Sequence, residues 1–257
     1  SLSVMATQLS AISFISAPAF VGLRDGGGLI WLSYELALPI AVLLMLWRLL
    51  PTLHQSGVVS VYDFLERRFE RSTRLLISFV FQLSRSFATA IMIYAISLIL
   101  QGTMGLEQWH SIVVIGVITL VYSAMGGMKA VVFGDAVQMI IILAGALTCL
   151  FVALDVIGGV DAALALIDSD RLEAVNVGSL GLNGNDFGLL PMLFGGIVLY
   201  ASYYGCDQSE AQRSLSAHSV KDLRKVMYTV ALSRFPITVI YCTTGLVIGA
   251  LVLNTPS

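Results

Sequence analysis

The sequence predicts an all-α, polytopic membrane protein. Of its 257 residues, 57% are apolar and only 12% are charged, whereas average soluble domains carry about 25% charged residues. Several apolar stretches reach about 18 residues, the length that crosses a bilayer. No stretch shows the alternation over about ten residues that is typical of membrane β-strands. A soluble enzyme is therefore excluded, and so is a nucleic-acid-binding protein, because the net charge of −2 leaves no basic surface.

Seven apolar segments are predicted to span the membrane: 2–21, 29–50, 75–100, 111–125, 130–157, 187–206 and 226–253. At 1.5 Å per residue, all except the fourth are long enough to cross about 30 Å of hydrocarbon. We expect Gly126-Gly127 to end the fourth segment and Gly195-Gly196 to interrupt the sixth. Two short amphipathic helices are expected between these segments, at 60–74 and at 219–225, the second with Ser219 as its N-cap.

The distribution of Lys and Arg predicts the orientation. Ten of these residues lie on one side of the seven segments, and only Arg24 and Arg171 lie on the other, which places the first side in the cytoplasm. The acidic segment 158–186 is then external. Because the first residues already resemble the interior of an apolar helix, we expect 1–257 to be one membrane domain truncated at both ends. We expect a multi-pass protein of a bacterial-type inner (plasma) membrane.

The first segment contains residues that are unusual for a continuous helix in lipid. Small and hydroxyl residues alternate with apolar ones over 5–18, and Pro18 removes a helical hydrogen bond. An interrupted helix would offer backbone carbonyls and hydroxyls to an alkali cation at mid-membrane, as the broken helices of transporters do. Close packing of two helices through small residues is the alternative, and the pattern alone favours neither.

Four ionisable residues lie inside the predicted spans, namely Glu35, Arg85, Asp135 and Arg234. Charge in a bilayer is costly, so each should face a cavity or a partner. A structural ion pair is the alternative role for Glu35 and Arg85, and neutralisation of Lys129 or of a helix N-terminus is the alternative for Asp135. We expect Arg234 to extend its charge towards the membrane surface.

Four stretches of the sequence occur together and in a fixed order: 6–14, 62–69, 122–138 and 205–213. The most specific is Tyr-x-x-x-Gly-Gly-x-x-Ala-Val from Tyr122, followed by Asp-x-x-Gln from Asp135. Together these stretches resemble the sodium:solute symporter family, whose members include sodium/glucose, sodium/iodide, sodium/monocarboxylate, proline and bacterial sialic acid symporters. The resemblance covers essentially the whole chain.

The resemblance implies a bundle of ten core helices in two inverted five-helix repeats, with a broken first helix. This chain would supply seven of them, with the first repeat at about 1–157, an external segment at about 158–186 and the start of the second repeat at about 187–257. The implied function is sodium-coupled symport of a small organic solute, a sugar, a sialic acid-like molecule or a carboxylate, into the cell by alternating access. The alternative is the membrane input domain of a sensor protein built on the same fold.

The resemblance also implies where ion and solute bind. Sodium would be held by the backbone carbonyls of Ala6 and Leu9, and Asp135 matches an acid on the sodium exit path. The positions implied for the solute are Gln8, Ser10, Ser13, Glu35, Arg85 and Tyr203. Of these, Tyr203 resembles a tyrosine that closes the cavity from inside. Sialic acid carriers hold the substrate carboxylate with an arginine at the position that is Ala88 in this chain. Arg85 lies three residues earlier on the same helix. The difference argues against sialic acid itself as the solute, and Arg85 remains a candidate ligand for another anionic solute. The expected partners are the solute, sodium and the lipid bilayer, and no nucleic acid.

Overall fold

A computed structural model of the chain describes residues 11–182, 184 and 187–254, without the side chains of residues 11, 12 and 127–130. The described part is built mainly from α-helices, with one long connection between Leu166 and Leu189 that contains the 3-10 turn Ser169–Leu172. In chain order the α-helices are α1 (Ala11–Leu23), α2 (Trp31–Glu35), α3 (Ala37–Leu44), α4 (Leu50–Gln55), α5 (Val61–Arg68), α6 (Arg71–Met104), α7 (Gln108–Ile157), α8 (Val160–Leu166), α9 (Leu189–Cys206), α10 (Gln208–Leu215) and α11 (Val220–Asn254).

Six helical stretches of the described chain are long and apolar enough to cross a membrane: Trp31–Gln55, Arg71–Met104, Gln108–Gly126, Val131–Ile157, Leu189–Cys206 and Val220–Asn254. They correspond to the second to seventh predicted segments. The described part of the first predicted segment is the shorter apolar helix Ser13–Leu23, and residues 1–10 lie outside the described residues. The prediction of an all-α polytopic protein is confirmed.

Prolines account for the breaks in the second segment. Pro39 has no N–H to donate to the carbonyl of Glu35, and regular helix stops at Leu36 between α2 and α3. Pro51 likewise cannot bond to the carbonyl of Trp47, and the preceding turn Met45–Leu49 is a wider π-helix. Proline does not always end a helix, because α1 runs on through Pro18.

Two predicted helix breaks at glycine pairs were wrong. Helix α7 continues through Gly126-Gly127, so the fourth and fifth predicted segments belong to one helix. Helix α9 likewise continues through Gly195-Gly196. A glycine in a helix costs about 1 kcal/mol but keeps its N–H, and apolar neighbours are good enough helix formers to carry the helix across. Gly196 is needed for contact instead, since a Cβ there would lie 2.6 Å from the Cβ of Ala37.

The two short amphipathic helices were predicted only in part. Ser60 caps α5 by accepting a hydrogen bond of 3.1 Å from the N–H of Asp63, but α5 ends at Arg68 and α6 begins at Arg71. The Ser219 cap is confirmed, with its Oγ 3.1 Å from the N–H of Asp222. The helix that it starts is not a separate short one, because α11 runs from Val220 to Asn254 without a break.

The buried core lies between α1, the α2–α3 pair, α9 and α11. Helices α1 and α11 meet at glycines: a Cβ on Gly245 would lie 2.5 Å from the Cα of Pro18, and one on Gly249 would collide with the carbonyl oxygen of Gly22. By contrast α6 and α7 expose most of their large apolar side chains, Phe79 and Phe151 among them. An apolar outer surface on these two long helices is what a bilayer, rather than water, stabilises.

Candidate functional site

A buried ion pair joins α2 to α11 in the middle of the core. The Nε of Arg234 lies 2.9 Å from Oε2 of Glu35, and its Nη2 lies 3.3 Å from Oε1. Only 1% of the Glu35 side chain and 13% of the Arg234 side chain are exposed. The geometry is the bidentate one that makes arginine–carboxylate pairs strong and directional. Two opposite charges therefore neutralise each other where an isolated charge would be very costly.

Tyrosines surround this pair. Arg234 places its guanidinium carbon 5.1 Å from the centre of the Tyr200 ring, a cation–π distance. Tyr34 packs on Tyr200 with ring centres 4.9 Å apart, and the hydroxyl of Tyr241 lies 3.1 Å from Oγ1 of Thr238. The pair thus sits among apolar ring faces with polar edges, directly beside the helix break at Leu36. The charges of the pair are therefore shielded from lipid by aromatic side chains.

The sequence prediction of Arg234 was wrong. Its charge does not extend towards the membrane surface but turns into the core, because Glu35 on α2 lies opposite. Glu35 and Arg85 each form an ion pair, as the alternative interpretation expected, but they do not pair with each other. Nη1 of Arg85 lies 3.5 Å from Oδ2 of Asp207. Sequence reasoning missed the partnership of Glu35 with Arg234. Its one signal was that two opposite charges occur in different spans.

The remaining predicted site residues are placed as follows. Ser13 lies in α1, half-buried and with an interaction partner. Tyr203, in the last turns of α9, packs edge-on against Tyr204 with ring centres 5.9 Å apart. The four positions Ala6, Gln8, Leu9 and Ser10 lie outside the described residues. The described structure thus brings Glu35 close to Tyr200 and Tyr204 of α9, whereas Arg85 interacts with Tyr203 at a different location.

That second location is a polar junction around α10, on the predicted cytoplasmic side. Asp207 accepts a hydrogen bond of 2.8 Å from the N–H of Ser209, which caps α10, and also receives Arg85 from α6. At the other end of α10, Nη2 of Arg213 lies 3.2 Å from Oδ2 of Asp135 on α7. Asp135 therefore neutralises Arg213 in the described structure. Helix α10 is tied by one ion pair to each of the two long outer helices.

Tyr62 borders the same junction from α5, outside the spanning helices. Its ring centre lies 5.8 Å from that of Phe81, and its hydroxyl is buried without a hydrogen-bond partner among the described residues. Burial first, and then the carboxylate of Asp207, raise the pKa of Tyr62 to about 12. Both effects disfavour a second negative charge beside Asp207.

Comparison with known proteins identifies relatives over nearly the whole chain. The model of the sodium:solute symporter family matches residues 1–256. Sodium-coupled monocarboxylate transporter 2 of Danio rerio is 29% identical over 247 residues, 96% of this chain and 39% of its own length. Sodium-coupled monocarboxylate transporter 1 of Homo sapiens is 31% identical over 219 residues, 85% and 35% of the two chains. The human sodium/iodide cotransporter is 29% identical over 224 residues, 87% and 34%.

A solved structure has the same fold. A Na⁺-coupled sialic acid symporter in a substrate-bound outward-open state matches with a TM-score of 0.87 at 23% identity, over 100% of this chain and 54% of that one. The family and the six apolar helical stretches make the chain an integral, multi-pass membrane protein. The chain spans 39% or less of the lengths of these curated relatives. All of the relatives are transporters, not enzymes, and they give the sensor alternative no support.

Proposed function

Because this chain belongs to the sodium:solute symporter family, we propose that the full-length protein carries a small organic solute into the cell together with sodium, by alternating access. A sugar, a sialic acid-like molecule and a carboxylate are the candidate solutes. Its matched relatives include carriers of monocarboxylates and of iodide. The observation that carries the proposal is the buried pair of Glu35 and Arg234 next to the interruption of the helix at Leu36.

This pair suits solute binding because it presents both a donor and an acceptor. A neutral solute with several hydroxyls can bond to both groups, whereas a carboxylate can replace Glu35 as the partner of Arg234. A neutral solute leaves both charges of the pair matched, whereas a carboxylate that takes the place of Glu35 brings one extra negative charge, which the co-transported sodium ion would balance. We place Gln8, Ser10 and Ser13 of the first segment on the other side of the solute.

Sodium is the proposed cargo ion. We assign the backbone carbonyls of Ala6 and Leu9 as its ligands within this chain, because hard oxygen ligands suit an alkali cation. Sodium binding would fix the first segment and so complete the solute pocket. After the protein opens inward, Asp135 would draw the ion out, exchanging Arg213 for sodium as its partner. Tyr203 would close the cavity from the inside until then.

The coupling energy is sufficient for nutrient uptake with one ion. One sodium ion moving through about 100 mV gains about 2.3 kcal/mol, and a tenfold concentration gradient adds about 1.4 kcal/mol. The sum of about 3.7 kcal/mol supports an accumulation of roughly 500-fold for a neutral solute. For a neutral solute, a second sodium site is not needed for the proposed function.

Radiolabelled uptake into proteoliposomes tests this proposal, with the full-length protein and a panel of glucose, sialic acid and butyrate. We expect sodium-dependent uptake of at least one solute. Ser10→Ala and Glu35→Ala should reduce it, and Ser86→Ala is the matched control because its hydroxyl bonds only to its own helix, at Gln82. Arg85→Gln should reduce uptake of the anions more than that of glucose. Uptake kinetics unchanged in both Ser10→Ala and Glu35→Ala would remove these residues from the pocket, and absence of any sodium-dependent uptake would end the proposal.

A further inference from the structure

An arginine at the predicted outer end of α1 stands over aromatic rings. The guanidinium carbon of Arg24 lies 5.1 Å from the centre of the Phe20 ring and 5.7 Å from that of Phe187. Arg24 is exposed, and none of the ion pairs among the described residues includes it. Ring contact uses the flat face of a guanidinium, which leaves its N–H edge available for an anion.

The same arginine borders an open hollow of about 540 Å³. The hollow is lined by Ser16, Ala19, Phe20, Leu23, Arg24 and Trp31. The hollow is shallow and open to its surroundings. The lining is apolar and aromatic apart from one hydroxyl and one guanidinium. It therefore matches a molecule that is apolar along most of its length and anionic at one end.

A series of ring contacts leads from this hollow to the central ion pair. The aromatic series consists of Phe20, Trp31, Tyr34 and Tyr200, with successive ring centres 5.1, 6.1 and 4.9 Å apart. A guanidinium stands 5.1 Å from the ring centre at each end, Arg24 over Phe20 and Arg234 over Tyr200. The two cations thus stand at the two ends of one series of packed rings, whose inner member, Tyr200, is only 1% exposed.

On the predicted outer side of the protein, Arg24 differs from its charged neighbours in how it would act on an anion. The neighbouring hollow is lined by Asp25, Asp168 and Asp170, which repel an anion. Arg171 is the other arginine predicted on this side. Its guanidinium already donates a hydrogen bond, because Nη1 lies 3.1 Å from the carbonyl oxygen of Val21 near the end of α1. An anion approaching this side of the described structure is therefore attracted at Arg24 and repelled beside it.

We propose that Arg24, with Phe20 and Phe187, forms an outer subsite for organic monoanions. The carboxylate of the solute pairs with the guanidinium edge while its apolar part packs on the rings, and the aromatic series then leads inward to Arg234. This inference rests on the proposed function and narrows it, since it selects anions from the candidate solutes. Arg24 is a specificity-determining residue that acts before the central site.

Equilibrium binding of radiolabelled benzoate to the purified full-length protein tests this subsite, with benzamide as the uncharged analogue of the same shape. We expect saturable benzoate binding that Arg24→Gln weakens about fivefold or more, and that Arg24→Lys weakens less. Benzamide binding should change by less than about twofold in Arg24→Gln. Arg67→Gln is the matched control. Arg67 is also exposed, but it lies on the predicted cytoplasmic side, where its Nη1 donates a hydrogen bond of 3.0 Å to the carbonyl oxygen of Ser56.

Three results would overturn the subsite: no saturable benzoate binding to the wild type, equal benzoate affinity in Arg24→Gln and wild type, or an equal loss of benzamide. Equal melting temperatures of Arg24→Gln and wild type show that the fold is intact. For any anion that the uptake panel identifies, Arg24→Gln should also raise KM and leave kcat unchanged. Absence of sodium-dependent uptake would end the proposed function, and the benzoate titration would still decide the role of Arg24.

Discussion

Removing either member of the buried Glu35–Arg234 pair should destabilise the protein strongly. Arg234→Leu leaves a carboxylate that is only 1% exposed without its two hydrogen bonds of 2.9 and 3.3 Å. Breaking such a buried pair from one side costs about 3–5 kcal/mol. Glu35→Leu leaves the guanidinium, 13% exposed, in the same position, and we expect a loss of similar size.

The double variant Glu35→Leu/Arg234→Leu separates this effect from simple loss of packing. Replacing both charges with apolar side chains removes the desolvation penalty together with the attraction, so its cost should be only about 0–2 kcal/mol. The measurement is the free energy of unfolding of the full-length protein by denaturant titration in detergent micelles, for the wild type and all three variants. Losses that simply add in the double variant would refute the reasoning, because they would mean that the two charges do not stabilise each other.

Three further predictions concern other parts of the fold. Gly245→Leu should lower the melting temperature in detergent and reduce the yield of folded protein, because a side chain there meets the backbone of Pro18. Gly116→Leu is the control and should be tolerated, because a Cβ there meets nothing within 4 Å. Asp135→Asn and Arg213→Gln should together cost less stability than the sum of the single changes, measured by the same denaturant titration, because either single change already removes the attraction between the two charges. Tyr62→Phe should be neutral or stabilising at pH 7, since the hydroxyl has no partner among the described residues, and its advantage over the wild type should grow as pH rises from about 10 to 12.

The sign of the Tyr62 prediction follows from proton linkage. Tyr62 keeps its proton in the folded protein up to a pKa of about 12, whereas an unfolded tyrosine loses it near pH 10. The stability that this raised pKa provides is complete below pH 10 and is lost as pH rises towards 12. A melting-temperature difference between Tyr62→Phe and wild type that stays constant over this range would contradict the assignment.

For the glycines, equal melting temperatures of Gly245→Leu and Gly116→Leu would contradict the close packing of α1 on α11.

Local patterns could be predicted from the sequence, and long-range partners could not. The Ser219 cap depends on residues three positions apart, so the sequence alone was enough to predict it. Glu35 and Arg234 are 199 positions apart, and only the packing of α2 against α11 shows that they meet. The glycine pairs misled the prediction for a related reason. Whether Gly196 breaks a helix or admits a neighbour depends on Ala37, which is far away in the sequence.

Steady-state accumulation of the transported solute against the imposed sodium gradient tests the central claim of sodium-coupled symport most directly. The measurement uses the full-length protein in proteoliposomes, at fixed membrane potential and fixed pH on both sides. With one sodium ion per solute, a tenfold steeper inward sodium gradient should raise the accumulation ratio about tenfold, and replacing sodium by choline should abolish accumulation. An accumulation ratio that does not change with the sodium gradient, or that persists in choline, would contradict the account.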